Sequence, residues 1–194
     1  GDIPSLTLED AKAVTQKSAM RADRAGDNYY DLLSSMQKSI RGSDPDAAVF
    51  YLAKMLYAGE DIKFIARRIM ICAAEDVGNA DPQGLQVTVA AAQAVERLGM
   101  PEARIPLAQA VTYVASAPKS NAAYLAVDAA IEAVRSTKTT VPVHLQDSHY
   151  KGAGKLGHGT GYQYAHDYPN HYVEQQYLPT ELKGKVFYQP TDNG

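Results

Sequence analysis

The apolar residues between positions 28 and 135 recur at intervals of three and four, the spacing that places side chains on one face of an α-helix. Glycine and proline interrupt this pattern repeatedly and divide the chain into helical segments. The pattern predicts an all-α fold, a bundle of about six to seven helices. The predicted helices cover residues 7–24, 28–41, 45–58, 62–77, 83–98, 106–116 and 120–135.

The two central helices of this series have the clearest boundary signals. Asp44 precedes Pro45 at the start of the first. An aspartate oxygen can accept hydrogen bonds from the free amides of a first turn, and the fixed φ of proline suits the first helical position. Gly59 marks the end of the first helix, Asp61 can cap the second, and Gly78 marks its end.

The first central helix has more apolar surface than one core face requires. Its apolar stripe contains residues 49, 52, 55 and 56, and three aromatic residues lie outside it: Phe50, Tyr51 and Tyr57. Another helix of the same chain could cover these rings, or a second copy of the protein could do so. We therefore treat Phe50, Tyr51 and Tyr57 as a candidate interface.

The second central helix carries charges that need partners. Arg68 and Glu75 are seven residues apart and share a face, while Arg67 lies a further 100° around the helix. Asp76 and Asp81 lie at or near the C-terminal end, where a carboxylate opposes the helix dipole unless a cation compensates it. That cation could come from the same chain, from another subunit or from a partner.

The composition changes after residue 136. The segment 136–194 holds seven of the thirteen tyrosines among many glycines and prolines, without a sustained period. It also holds all five histidines, His144, His149, His158, His166 and His171. We predict an extended C-terminal arm that packs on the helices, with one short helix around residues 172–177. The predicted divisions are 1–26 as a connecting region, 27–135 as the helical domain and 136–194 as the arm.

Composition limits the classes of protein that fit. A net charge of −3 over 194 residues provides no basic field for nucleic acid. The single cysteine, Cys72, lies in an apolar run and is interpreted as a core residue of a cytosolic protein. No apolar run reaches the roughly 18 residues of a membrane span. The chain starts with Gly1 rather than Met, which indicates a fragment of a longer protein.

Three patterns suggest chemistry, and each is incomplete. Residues 152–157 match G-x-G-x-x-G, but neither a strand before them nor a helix after them is predicted, and the segment is no P-loop either. His158, His166, His171 and Asp167 could bind a metal, yet their spacing matches no compact ligand pattern. No serine, histidine and aspartate are placed for nucleophilic catalysis. We expect no catalytic residue, cofactor site or metal site in this chain.

Five short motifs follow one another along the chain: KSIRGSDPDAA (38–48), FIARR (64–68), EDVGNADP (75–82), APKSN (117–121) and GYQYAHD (161–167), and QQYLP (175–179) comes after them. In this order they resemble the C-terminal half of the RarA/MgsA family of replication-associated recombination proteins. These proteins are AAA+ ATPases of the clamp-loader clade, related to the Werner-helicase-interacting protein.

The resemblance implies a clamp-loader-collar-like region that holds the subunits of the parent protein together as a homotetramer. It implies that the parent hydrolyses ATP with magnesium in an N-terminal module and acts on DNA in replication, recombination and repair in the cytoplasm. Single-stranded-DNA-binding protein is a candidate partner. The alternative is that this chain is itself a nucleic-acid-binding module using motif arginines. The candidate ion-pair, DNA or partner contacts are Arg41, Arg67, Arg68, Glu75, Asp76 and Lys119.

Overall fold

The structure is a computed structural model that describes residues 8, 12 and 28–193. This part of the chain contains α-helices, a π-helical turn and 3-10 turns, and no strand, so the predicted all-α fold is confirmed. The predicted helix 7–24 and the connecting region 1–26 lie outside the described residues, except for positions 8 and 12. The α-helices are α1 (Tyr29–Arg41), α2 (Pro45–Tyr57), α3 (Ile62–Cys72), α4 (Gln83–Leu98), α5 (Arg104–Ser116) and α6 (Ala122–Ser136).

The predicted start signals of the central helices are confirmed. Asp44 Oδ1 accepts a hydrogen bond from the amide of Ala47 at 2.9 Å, with Pro45 at the first helical position. Asp61 Oδ1 accepts from the amides of Lys63 and Phe64 at the start of α3. Each aspartate satisfies amides that have no partner within the helix. The sequence therefore determines where these two helices begin through local hydrogen bonds.

The described residues between 28 and 193 form two compact units, one of residues 28–124 with 190–193 and one of residues 125–189. In the first unit α1 packs on α2, α2 on α5, α5 on α4 and α4 on α3. Its core is a continuous apolar cluster. The largest fully buried side chains include Met36, Ile40, Leu52, Met55, Ile65, Ile69, Leu107, Val111 and Val114.

Three predicted helix boundaries differ from the structure by two residues or more, and one of them is the start of α6, at Ala122 instead of residue 120. Helix α5 begins at Arg104 rather than at Pro106, which is its third residue. Proline fits there because the amides of the first helical turn have no carbonyl partner within the helix. Helix α3 ends at Cys72, and a π-helical turn (Ala73–Val77) and a 3-10 turn (Gly78–Ala80) replace its predicted last turns.

The second unit consists of most of α6 and a segment built from 3-10 turns and extended stretches. The predicted short helix around residues 172–177 is wrong, since these residues are not helical. Asn170 and His171 have positive φ angles, 57° and 54°, which are incompatible with a right-handed helix, and Tyr172 after them is extended, with φ −127° and ψ 133°. The Gln175 side chain then pairs with the backbone of Gln163, donating to its carbonyl at 2.8 Å and accepting from its amide at 3.2 Å.

Candidate functional site: a polar junction and an apolar surface

An ion pair joins the end of α1 to the π-helical turn. Arg41 Nε donates to Asp76 Oδ1 at 2.7 Å, and Arg41 Nη2 lies 3.8 Å from Glu75 Oε1. Asp76 is 6% exposed, whereas the Arg41 side chain is half exposed. The hydrogen bond to Asp76 and its charge raise the pKa of Arg41. Glu75 and Asp76 therefore have their cation in the same chain, whereas Asp81 Oδ2 accepts a hydrogen bond from the Tyr113 hydroxyl at 2.7 Å.

The two carboxylate oxygens of Asp76 differ in their hydrogen bonding. Asp76 Oδ2 is fully buried and has no hydrogen-bond partner among the described residues. A buried carboxylate is tolerated when a cation and hydrogen bonds compensate its lost hydration. Because Oδ2 lacks a direct partner, Asp76 depends strongly on Arg41.

Lys119 connects the end of α5 to the loop before α2. Its Nζ donates to Ser43 Oγ at 3.1 Å, to the Ala115 carbonyl at 3.0 Å and to the Ala117 carbonyl. Burial lowers the pKa of Lys119, while the charge of Asp76 opposes this shift. Lys119 thus caps carbonyl groups that the last turn of α5 leaves without helical partners.

Gly78 allows the segment before α6 to approach the π-helical turn. The Ser120 amide donates to the Asp76 carbonyl at 2.8 Å. A Cβ atom on Gly78 would lie 2.8 Å from the Ser120 carbonyl oxygen, and Gly78 has φ 51°. Both the backbone angle and the close approach therefore require glycine at this position.

These contacts bring three of the sequence motifs together at one place, which we call the polar junction. Its members are Arg41, Ser43, Glu75, Asp76, Gly78, Lys119 and Ser120. Periodicity alone could have indicated that Asp76 is buried, because it follows buried Ile69 and Cys72 by seven and four residues. The partner of Asp76 could not be found in this way, since Arg41 is 35 residues away.

The other two motif arginines lie outside the polar junction. Arg67 is exposed, and no ion pair is described for it within residues 28–193. The Arg68 guanidinium lies 5.7 Å from the centre of the Phe64 ring, a cation–π contact. Glu75, which shares a helical face with Arg68 in the sequence, contacts Arg41 instead. The four candidate cations therefore do not form one basic cluster.

The three aromatic residues of the candidate interface do not lie together. Phe50 and Tyr57, seven residues apart on one face of α2, are 57% and 61% exposed. Tyr51 lies 100° further around the helix and packs against the core. Its ring contacts the Phe50 ring edge-on, with 5.5 Å between the ring centres. Phe50 and Tyr57 thus form the exposed part of this set.

An apolar groove lies between α2 and α5. It is lined by Val49, Ala53 and Leu56 of α2 and by Arg104, Ile105 and Ala108 of α5. Ile105 is 59% exposed. Residues 49, 53 and 56 lie between the buried stripe of α2 and the face of Phe50 and Tyr57. The groove and the two rings therefore form a continuous apolar surface, which we call the α2 surface.

Three histidines of the arm, His158, His166 and His171, contact aromatic rings or each other. The His166 ring lies 4.9 Å from the His171 ring and 5.2 Å from the Tyr164 ring. Tyr150 and His158 are hydrogen-bonded, with 2.6 Å between the hydroxyl oxygen and Nδ1. Within the described part of the chain, no three His, Cys, Asp or Glu residues are placed to hold a metal ion.

Cys72 lies in the core beside the polar junction. It is buried. Burial, helped by the charge of Asp76, raises the pKa of the Cys72 thiol to about 12. A thiol is reactive mainly as the thiolate, so Cys72 has the properties of a core residue.

Among the helices of the described residues, none is long and apolar enough to cross a membrane.

Comparison with protein families gives two matches that together cover nearly the whole chain. Residues 42–194 match the family described as MgsA AAA+ ATPase C terminal. Residues 2–41 match a family described as AAA C-terminal domain. The boundary between the matches falls at the end of α1, next to the polar junction.

Individual relatives agree with these matches. Replication-associated recombination protein A of Bacillus subtilis strain 168 is 51% identical over 190 residues, which are 97% of this chain and 45% of that protein. The protein of the same name from Escherichia coli K12 is 43% identical over 193 residues, 98% of this chain and 42% of that protein. ATPase WRNIP1 of Dictyostelium discoideum is 35% identical over 188 residues, 95% of this chain and 21% of that protein. The chain spans less than half the length of these relatives, and it belongs to the family of MgsA AAA+ ATPase C-terminal regions.

Proposed function

We propose that this chain is the homotetramerisation region, equivalent to a clamp-loader collar, of a cytosolic AAA+ ATPase that maintains replication forks and acts in recombination and repair. The family and the names of the relatives support the ATPase and its field of action. The exposed α2 surface supports the assembly role, and this observation carries the proposal. DNA and single-stranded-DNA-binding protein are the proposed partners of the whole protein.

The α2 surface is large enough to matter for assembly. Phe50, Tyr57 and Ile105 are each more than half exposed beside an apolar groove. Fully burying a large apolar side chain contributes roughly 1.5–3 kcal/mol, and closed symmetry repeats each contact in every subunit. An exposed apolar patch of this kind marks an interaction site more often than an ordinary protein surface.

Light scattering of the 194-residue chain at about 50 μM, well above the dissociation constants of stable interfaces, should give the mass of four chains. Replacing Phe50 with Asp should lower this mass and leave the helical content unchanged, because it puts a charge into the buried contact. Tyr30→Asp is the matched control, since Tyr30 is a 70% exposed ring on α1 outside the α2 surface. A wild-type chain that stays monomeric at this concentration contradicts the proposed function.

We propose that ATP and magnesium bind to the part of the relatives that this chain does not match. Millimolar ATP with magnesium should therefore leave the melting temperature of the 194-residue chain unchanged. A ligand present at 100 times its dissociation constant would stabilise the fold by about 2.7 kcal/mol, which differential scanning fluorimetry would detect. A nucleotide-dependent rise in melting temperature would show a nucleotide site in this chain.

Nucleic-acid binding is the second candidate function, and exposed Arg67 is the observation that favours it. Arg41 and Lys119 are already engaged in the polar junction, so they are poorly placed to contact phosphates. Fluorescence anisotropy with a single-stranded oligonucleotide distinguishes the two functions. Affinity that falls with salt and is lost in Arg67→Ala would favour the second.

A further inference from the structure

Helix α6 presents a second exposed apolar face. Val127, Ile131 and Val134 lie at helical spacing on this face and are 53%, 44% and 71% exposed. Asp128 and Glu132 are exposed and follow Val127 and Ile131 by one residue, so both lie on the same flank of the apolar stripe. Arg135 follows on that flank at the C-terminal end of the helix. The stripe is therefore apolar with an acidic edge along most of its length.

The α2 surface has the complementary features. Its groove residues Val49, Ala53 and Leu56 are separated by four and three residues, the same spacing as Val127, Ile131 and Val134. Both stripes therefore span eight residues, whose seven helical steps cover about 10 Å. Among the described residues that line the groove, Arg104 alone carries a charge, and it is exposed. The groove is apolar with one basic residue, and the stripe is apolar with two acidic ones.

We propose that α6 of one copy packs into the α2–α5 groove of a neighbouring copy, with Asp128 and Glu132 facing Arg104. This inference rests on the proposed self-association and names the surfaces that meet. A second copy is the occupant that fits, because the same chain carries both an apolar stripe and an apolar groove with opposite charges. Helix residues spaced by three and four pack as ridges between those of a facing helix pair.

The pairing has a consequence for symmetry. The two surfaces are different parts of the chain, so a copy can use its stripe on one neighbour and its groove on another. Such a heterologous contact produces a closed ring when the rotation between neighbours closes. In a homotetramer it would give four identical contacts around one four-fold axis.

Charge reversal tests the pairing directly. Three variants are needed: Arg104→Glu, the double reversal Asp128→Arg with Glu132→Arg, and the combination of all three. By analytical ultracentrifugation at low salt, each partial reversal should raise the concentration of half-dissociation roughly tenfold or more, because like charges then face each other. The combination should restore assembly. The losses should shrink in about 1 M NaCl, where the Debye length is only about 3 Å.

Controls separate assembly from folding. Arg97→Glu reverses an exposed charge in the last turn of α4, outside the groove, and should leave assembly unchanged. Circular dichroism reports whether each variant is folded. Arg104 Nη1 also donates to the Pro101 carbonyl at 2.7 Å, so Arg104→Glu could disturb the start of α5. The α6 double reversal changes only exposed side chains, and it tests the pairing even if Arg104→Glu is unfolded.

The outcomes distinguish this inference from the proposed function. If the wild-type chain is a monomer, both fail. If Phe50→Asp dissociates the assembly but both partial reversals leave it intact, the proposed function stands and the pairing is wrong. If the α6 double reversal dissociates the assembly while folded Arg104→Glu stays assembled, α6 contacts something other than the groove, and the pairing is again wrong. Dissociation by both partial reversals, with recovery in the combination, supports it.

Discussion

Replacing Gly78 with alanine should lower the free energy of unfolding by roughly 3–4 kcal/mol, through backbone strain and the loss of a hydrogen bond. Gly78 has φ 51° and ψ −133°, a conformation that residues with a Cβ rarely adopt. The added Cβ would also lie 2.8 Å from the Ser120 carbonyl oxygen. To relieve this overlap, the segment before α6 would move away and weaken the bond from the Ser120 amide to the Asp76 carbonyl.

Gly99→Ala is the matched control. Gly99 also has a positive φ, 67°, but nothing lies within 4 Å of the Cβ position. Gly99→Ala should therefore lower the free energy of unfolding through backbone strain alone, by on the order of 1–2 kcal/mol. Urea unfolding followed by circular dichroism measures both values. Equal losses in the two variants would show that the close approach at Ser120 contributes nothing to stability.

The parts of the fold that the sequence predicted correctly depend on local interactions. The starts of α2 and α3 follow from Asp44, Pro45 and Asp61, whose contacts all lie within three residues. The apolar period located the helices of the bundle because each must bury one face. Helix α5 was predicted two residues short, since proline is compatible with more than one position in a first turn.

The parts that were missed depend on contacts between distant segments. The π-helical turn after Cys72 is not indicated by residue type, because alanine, glutamate and valine all fit an ordinary helix. Such turns often occur at functional sites. Here the turn lies where Asp76 meets Arg41 and where the Asp76 carbonyl accepts from the Ser120 amide. Those partners are distant in sequence, so no local pattern could have indicated them.

The candidate site was predicted in composition but not in arrangement. The sequence grouped Arg41, Arg67, Arg68 and Lys119 because they share motifs, and the structure assigns them different surroundings. Phe50, Tyr51 and Tyr57 were grouped because they lie outside one apolar stripe. A stripe has two edges, however, and Tyr51 lies on the edge opposite to Phe50 and Tyr57. Angular positions around the helix would have separated Tyr51 from the other two.

The polar junction and the proposed assembly surfaces have separate roles along the same chain. The junction holds the short segment between α5 and α6 through Lys119 and through the Ser120 amide. Ser120 Oγ also accepts from the Ala122 amide at 3.4 Å, at the start of α6. The residues proposed to meet in assembly lie on exposed faces of α2, α5 and α6. Junction variants should therefore reduce stability, whereas surface variants should reduce assembly and leave stability close to that of the wild type.

Breaking the ion pair of the polar junction should also cause a large loss of stability. Arg41→Met should destabilise the chain by roughly 2–3 kcal/mol, because it leaves the Asp76 carboxylate buried with neither oxygen paired. This loss is smaller than the roughly 3–5 kcal/mol expected when a fully buried pair is broken, because the Arg41 side chain is half exposed. Methionine keeps an unbranched apolar stem and lacks the guanidinium group, so the change removes mainly the charge and the hydrogen bond.

Arg67→Met is the control for this variant, because it removes an exposed arginine from α3 and should change stability by no more than about 0.5 kcal/mol. Combining Arg41→Met with Asp76→Leu should recover part of the loss, since the double variant contains no buried charge. Urea unfolding of the wild type, Arg41→Met, Asp76→Leu and the double variant gives the coupling free energy between Arg41 and Asp76. If Arg41→Met is no less stable than Arg67→Met, the pair does not stabilise the junction. If the double variant instead loses the sum of the two single losses, Arg41 and Asp76 act independently, and Arg41 does not compensate the burial of Asp76.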